Sequence, residues 1–501
     1  MRATIVLALA GAIAGGANLT ISGVNRAEFW AFLDTLLTEG DADTLVHATH
    51  MEDKLDLNVR YGDLKGQLGM FLYEPSKPWV GGREPLRLLD YTIAYSPKRF
   101  EVLYGKFFQS FGKGLALRTY SDDDFRHYKS LHGLRGTASL PYRTDVVAFG
   151  ARMRDIFFQE NVYHVMNFDD TTDQVYGANL ASRPVTWGGF GGRYVRINGD
   201  DDLASNGFTE LYGGDLTLSF GPIEVYGEVC QRMGTKPIIG GRERGIGYYA
   251  TGTFAMGWFS LLGQYMDYDK LGFPDKVYEA KEYRYNDPPT PIKSGVAMNR
   301  GVDERGFGVV ATGTPIQSLY LEADLGRLYT HDDSSAGVVE WEGKARYNPV
   351  AEWTFEAYFN HMLQRNVELG TYNRVVDKPV VHVNYLVGQH TFAFEGEVGL
   401  VDERSTRGDS WDYLETALAL SYGYGEALLF TLGIQHVDVE LQKRYNGETF
   451  WPMFEAVWSI THRNMLRVRV GAERGGYTCS GGVCRDEPPF RGIKAQLISR
   501  F

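Results

Sequence analysis

The chain has 501 residues, a formal net charge of −12, a mean hydropathy of −0.28 and 14% aromatic residues. The acidic balance excludes nucleic acid as a partner, because phosphate recognition needs a basic surface. No internal stretch offers the ~18 uncharged apolar residues of a membrane-crossing helix, yet 59 Gly, 31 Tyr and 28 Phe enrich the chain in turn and strand formers.

Residues Met1 to Ala17 read as a secretory signal: Arg2 supplies the positive start, Ala3 to Ala14 form an apolar run too short to span a bilayer, and small residues follow. Cleavage after Ala17 leaves residues 18–501 as the mature chain. From there the dominant pattern is alternation with period two. Ile223, Val225, Gly227 and Val229 alternate with Glu224, Tyr226, Glu228 and Cys230; Trp353, Phe355, Ala357 and Phe359 alternate with Thr354, Glu356, Tyr358 and Asn360. In chain order the predicted strands are 18–31, 52–62, 64–74, 86–95, 98–111, 129–140, 144–155, 175–183, 187–197, 208–220, 222–233 and 244–256, followed by 258–268, 302–313, 316–329, 336–347, 350–362, 377–387, 389–402, 411–423, 426–439, 449–460, 463–474 and 489–501.

The connections alternate as well. Ser96-Pro97, Pro141 to Arg143, Gly221, Thr314-Pro315, Asn348-Pro349, Gly388 and Tyr424-Gly425 mark tight turns. Long polar segments lie between them, among them 32–51, 112–128, 156–174, 269–301 and 440–448. Short turns on one side and long loops on the other describe a single transmembrane, antiparallel, up-and-down β-barrel of about 24 strands, with 22 or 26 as alternatives. The short turns belong on the periplasmic side and the long loops outside. Aromatic residues beside the short turns, such as Tyr95, Trp187, Phe220 and Trp258, suit a membrane interface. The final strand is amphipathic and ends at Phe501, the terminal aromatic that barrel-insertion machinery reads during assembly.

Two stretches resemble the DUF6029 family of uncharacterised outer-membrane proteins. One runs Gly105-Lys106-Phe107-Phe108-Gln109-Ser110-Phe111-Gly112-Lys113-Gly114-Leu115-Ala116-Leu117-Arg118. The other is Gly481-Gly482-Val483-Cys484-Arg485 with Pro488-Pro489-Phe490 and Ser499-Arg500-Phe501. The resemblance implies a porin-like barrel in a diderm bacterium, and it brings no substrate and no catalytic residues.

Little in the sequence points to chemistry. Cys479 and Cys484 lie close enough to form a disulfide in an oxidising compartment. A zinc site would need two further ligands, so no metal and no cofactor are expected. The acidic runs Asp122-Asp123-Asp124, Asp200-Asp201-Asp202 and Asp332-Asp333 lack the spacing of a calcium loop, and His47 with His50 or His127 with His132 read as polar loop residues. Without a G-x-S-x-G, H-E-x-x-H or P-loop motif, the chain carries no sign of an enzyme.

If apolar residues face lipid, charge on the opposite face becomes the candidate pore lining. Glu322, Asp324, Glu352, Glu356, Glu395 and Glu397 form an acidic group, and Arg60, Lys65, Arg467, Arg469 and Lys494 a basic group from the first and last strands. Opposed walls would set up a transverse field; local pairing would merely keep the wall polar. A barrel this wide needs filling, and inward folding of loop 269–301 is one expected solution. The functional expectation is an outer-membrane, porin-like barrel that admits a small solute. The alternative is an interaction protein whose barrel anchors surface loops in the outer-membrane lipid for an unidentified partner.

Overall fold

The computed structural model describes residues 19–32, 49–75, 86–122, 127–159, 165–169, 173–198, 208–235, 242–271, 273–275, 279–282, 285–293, 303–331, 336–366, 371–438, 449–480, 483–487 and 490–501. The expected signal segment lies outside them, as do most of the acidic loop runs. The first half of the wall comprises β1 (Leu19–Phe32), β2 (Thr49–Tyr61), β3 (Leu64–Pro75), β4 (Leu86–Tyr95), β5 (Phe100–Phe107), β6 (His127–Leu140), β7 (Thr144–Gln159), β8 (Gln174–Val185), β9 (Gly188–Asn198), β10 (Phe208–Phe220), β11 (Ile223–Thr235) and β12 (Arg242–Met256). The second half comprises β13 (Phe259–Asp269), β14 (Asp303–Ile316), β15 (Leu319–Tyr329), β16 (Gly337–Tyr347), β17 (Trp353–Arg365), β18 (Thr371–Val387), β19 (His390–Ser405), β20 (Ser410–Tyr424), β21 (Leu428–Val437), β22 (Phe450–Thr461), β23 (Asn464–Glu473) and β24 (Phe490–Arg500).

Each strand pairs antiparallel with its sequence neighbour, and β1 pairs with β24 from Val24↔Arg500 to Phe32↔Gly492, which closes the ring. The sheet counts 26 strands; two are the short pieces Ser121–Asp122 on β6 and Val165–Asp169 on β7, so 24 form the wall. Every predicted strand has its counterpart. The ends differ where local pattern misleads. β5 stops at Phe107 rather than 111 because the chain turns into the barrel there. β18 starts at Thr371, six residues before the predicted 377, in a part of the strand where regular alternation has faded.

The short turns set the register. Tyr61↔Leu64, Phe220↔Ile223, Met256↔Phe259 and Val387↔His390 each enclose two residues. The first of each two is a glycine at positive φ: Gly62, Gly221, Gly257 and Gly388 lie at 54° to 60°. Positive φ at the first central position followed by a negative one is the II′ pattern, whose twist matches that of paired strands. A slip by one residue would turn every side chain to the other face. With this register Ile93, Leu216, Leu420 and Leu432 stay exposed, Leu432 at 61%. Their strand neighbours Thr92, Asp215, Ala419 and Thr431 point to the interior. A closed wall with such an apolar outer surface is a membrane-spanning barrel, because hydrocarbon is the solvent these side chains fit.

At the seam, the chain end completes the pairing. The Gly23 amide donates to the Phe501 carbonyl (2.9 Å), and the Phe501 amide donates back to the Gly23 carbonyl (3.1 Å). The Phe501 ring lies over Gly23, where a Cβ would sit 2.6 Å from its Cζ. Deleting Phe501 removes this lock from the closing edge. The yield of folded barrel, scored as the heat-modifiable band on SDS gels, should fall well below that of Glu426→Ala in an exposed turn; equal yields would contradict the seam role.

Candidate functional site

The interior is filled on one side by two of the chain's own connections. After Phe107 the backbone leaves the wall and forms a small hairpin, with Ser110 and Phe111 paired to Arg118 and Leu117. Its apolar residues Phe111, Leu115, Ala116 and Leu117 are fully buried against inward-facing Leu131, Phe149, Met153, Val175, Val195 and Leu211. The Phe149 ring meets Phe107 edge-to-face at 5.6 Å and Phe111 at a tilt at 5.9 Å. An apolar run of this kind could not remain in an aqueous loop, and its burial drives the hairpin inward.

The hairpin tip rests on a buried ion cluster. Arg193 of β9 pairs with Asp215 of β10 and with Glu228 of β11, the latter at 2.6 Å. Glu228 also accepts from the Lys113 amide (2.7 Å) and the Tyr226 hydroxyl (2.6 Å). Buried charges persist only when paired and hydrogen-bonded in this way. The hairpin therefore supplies part of what keeps the wall's own charges stable. Gly112 makes the contact possible: its φ is 58°, and a Cβ there would sit 1.5 Å from an Arg193 guanidinium nitrogen.

The second segment is 285–293, within the loop expected to fold inward. It zips onto the hairpin: the Arg118 amide donates to the Tyr285 carbonyl (2.9 Å), and the Asp287 amide donates to the Gly114 carbonyl (3.1 Å). Asn286, wholly buried, donates to the carbonyls of Leu115 (3.0 Å) and Leu271 (3.3 Å), and Arg118 pairs with Asp287 (3.3 Å). Further on, the chain crosses β14 and β15 where those strands carry glycine. A Cβ at Gly308 would meet the Pro291 carbonyl at 2.5 Å, and one at Gly326 would meet the Ile292 side chain at 2.5 Å. The segment ends with Lys293 among inward carboxylates: it pairs with Glu322, with Glu342 at 2.8 Å and with Asp324 at 3.8 Å. Partial burial works against its charge, but the hydrogen bonds to Glu322 and Glu342 outweigh burial and hold its pKa above the usual lysine value.

Most of the remaining charges expected inside are found beside counter-ions in the sheet. Glu356 faces Lys344 (2.8 Å) and Arg346 (2.6 Å). His382 stands between Glu356 and Glu395 at 3.8 and 3.7 Å, and Glu397 pairs with Lys378 at 3.2 Å. Arg469 binds Glu455 (2.9 Å) and Glu473, Lys494 also takes Glu473, and Arg467 approaches Glu455 at 4.0 Å. Lys65 pairs with Glu101 at 3.5 Å, and Arg60 donates to the Gly62 carbonyl at 3.4 Å. Glu352 occupies the exposed turn before β17 instead of the strand. Cys479 and Cys484 are directly opposed in a small hairpin, 476–480 with 483–487, whose side chains lie outside the described ones. Cys230 is buried on the inner face.

The hairpin at 108–119 escaped the sequence reading, although its signal was present: Leu115-Ala116-Leu117 is an apolar run inside a polar connection, preceded by two glycines around Lys113.

These features define a closed, 24-stranded membrane barrel whose lumen is partly filled by its own loops. The chain belongs to DUF6029, a family of unknown function, whose model matches residues 50–286 and 422–501. The first matched stretch contains the inward hairpin and the Arg193 cluster, and the second contains the seam strand. No curated protein sequence matches the chain. Among similar solved structures are the siderophore receptor PirA from Pseudomonas aeruginosa (9% identity, TM-score 0.46, 97% of this chain and 81% of the receptor) and the P pilus usher (PapC) translocation pore (8%, 0.48, 96% and 98%). A third is the outer membrane protein opdK from Pseudomonas aeruginosa (13%, 0.41, 73% and 98%).

Gly112→Ala should loosen the hairpin by at least about 1–3 kcal/mol, the cost of a side chain at positive φ, with the clash on Arg193 added. Gly227→Ala, where a Cβ meets nothing within 4 Å on the outer face, should be neutral. Denaturant titration of the reconstituted protein and limited proteolysis at 108–120 measure both; equal stability of the two variants would contradict the seating of the hairpin.

Proposed function

We propose that this protein is an outer-membrane, porin-like barrel of a diderm bacterium, exported by a signal peptide and inserted by machinery that reads Phe501. It conveys a solute through the lumen beside the two inward segments. One observation carries this reading. The inward segments seat against the wall from β5 to β16, whereas the inner face from β17 round to β3 keeps closely spaced charges that need water nearby. In a confined aqueous path such charges act on ions at short range, where screening is weak. Cofactors and catalytic groups have no part in this reading.

Single-barrel recordings in a planar bilayer should show discrete conductance. Absence of conductance, together with copurification of a surface partner, would favour a barrel that merely anchors its loops.

Selectivity follows from the pairs. Replacing Glu356, Glu395 and Glu397 with Gln frees Lys344, Arg346 and Lys378, and the reversal potential should move toward anion preference. Replacing Arg467, Arg469 and Lys494 with Gln frees Glu455 and Glu473 and should move it toward cations, as should Lys293→Gln beside Glu322, Asp324 and Glu342. The shifts should be largest at low salt. Unchanged selectivity in folded, conducting variants would remove these residues from the path.

Directly opposed positions of an antiparallel pair lie within disulfide reach, so Cys479 and Cys484 should close the last hairpin. Alkylation of denatured, unreduced protein should then label Cys230 alone, and prior reduction should add the other two. Three labelled thiols without reduction would rule the bridge out.

A further inference from the structure

The short turns form a rim whose charge is divided. At the seam, the Arg500 amide donates to the Arg463 carbonyl (2.9 Å) and ties the end of β24 to the β22–β23 turn. Arg60 and Lys65 stand directly opposite each other beside the β2–β3 turn. The next turn carries Lys98 and Arg99, and its Ser96 amide donates back to the Asp63 carbonyl (2.8 Å). The Ser139 amide donates to the Arg99 carbonyl (2.8 Å) and the Arg183 amide to the Arg143 carbonyl (3.2 Å), which carries the array through the β6–β7 turn to β8. All of these cations are exposed. Lys65 pairs with Glu101 at 3.5 Å, and the others have no ion pair among the described residues.

Elsewhere on the rim the sign is opposite. From β9 to β22 the turns and their flanking positions expose Glu224, Glu352 and Glu426. Among the described residues the arginine on that stretch, Arg346, is taken by Glu356 (2.6 Å). The basic arc is also separate from the lipid. Arg60, Lys65 and Arg500 continue the inner faces of their strands by alternation, whereas Ile21, Leu64, Tyr95, Phe100, Leu140 and Tyr142 are exposed on the outer side of the same stretch. Like charges directly opposed on paired strands destabilise a sheet, and Glu101 answers only one of Arg60 and Lys65. The fold's own stability therefore does not account for the arc.

We infer that this arc is a docking surface for an acidic segment of another protein, at the barrel end that is periplasmic in the orientation proposed above. The surface itself does not depend on conductance. Complementary charge is what steers and registers such a partner. Length argues for a chain over a small anion: neighbouring strands lie about 4.8 Å apart, so the ten strands from β23 to β8 cover roughly 40 Å of rim. The backbone bonds between turns hold the cations in a fixed array, which lowers the ordering cost of binding.

The test uses full-length protein in phosphatidylcholine nanodiscs and a fluorescent decaglutamate peptide. The peptide should bind, more weakly as salt rises, and a diazirine at its end should crosslink within 60–65 and 96–99. Triglutamate, which reaches a single turn, should bind about ten-fold more weakly or worse, and replacing Arg60, Lys98, Arg99 and Arg143 with Gln should weaken decaglutamate by about ten-fold, the sum expected of a few exposed ion pairs. The same change at Arg152, Arg244, Arg327 and Arg365, exposed toward the long-loop ends of their strands, should leave binding intact. Both variants should keep the heat-modifiable band, which separates lost binding from lost folding. Equal affinity for the two peptides would reduce the arc to a local anion site and overturn the inference. Equal binding by the two variants, or crosslinks at the long-loop end, would overturn it as well. Phosphatidylglycerol that copurifies with the wild type and is lost from the rim variant, with no peptide bound, would assign the arc to lipid instead.

Discussion

A backbone amide or carbonyl inside hydrocarbon has no water to turn to, and this constraint organises the whole molecule. A sheet can meet it only by closing, so β1 must find β24, and the Gly23–Phe501 pair finishes the closure. Closure with 24 strands fixes a circumference too large for wall side chains to fill the interior. The chain resolves this with its own connections. The hairpin after β5 and the segment 285–293 occupy one side of the lumen, and the wall is shaped to receive them by glycines on β14 and β15 and by the Arg193 cluster. The same departure of chain from β5 that fills the lumen limits its pairing with β4 to Thr92↔Gly105 through Tyr95↔Val102.

Architecture was legible because its signals are periodic. Alternation placed each strand, glycine-bearing turns fixed the register, and the face assignments followed: Ile223, Val225 and Val229 are exposed to the outside, and Glu228 and Cys230 are buried within. The interior was less legible because it depends on contacts between distant parts of the chain. Nothing local to Gly112 announces Arg193 and Glu228, and nothing near Lys293 announces Glu322. The segment 98–111 reads as one strand by alternation alone, since the pattern does not register that Gly105 adopts a left-handed φ. Pairing between adjacent strands was readable in principle. Once the β22–β23 turn is placed, Glu455 falls directly opposite Arg469.

That pairing changes how the inner charge operates. Considered strand by strand, the acidic and basic groups suggest opposed walls; in the folded sheet Glu356, Glu397, Glu455 and Glu473 each sit one strand from a cation, so the field around them is local and short-ranged. Lys293 extends the arrangement, since its ammonium is carried into the barrel on a loop and neutralises carboxylates that β15 and β16 leave together. Position of that segment and charge of the lumen are therefore coupled, and moving 285–293 would bare Glu322, Asp324 and Glu342 at once.

The central claim is that two connections are seated inside the barrel as permanent parts of its core. Amide hydrogen exchange on the reconstituted protein addresses it directly through Lys113, Arg118 and Asp287, whose amides donate to Glu228, Tyr285 and Gly114. The account predicts protection of these amides comparable to that of the paired strands β9 to β11. Exchange at the rate of an exposed turn amide such as that of Glu426 would contradict it.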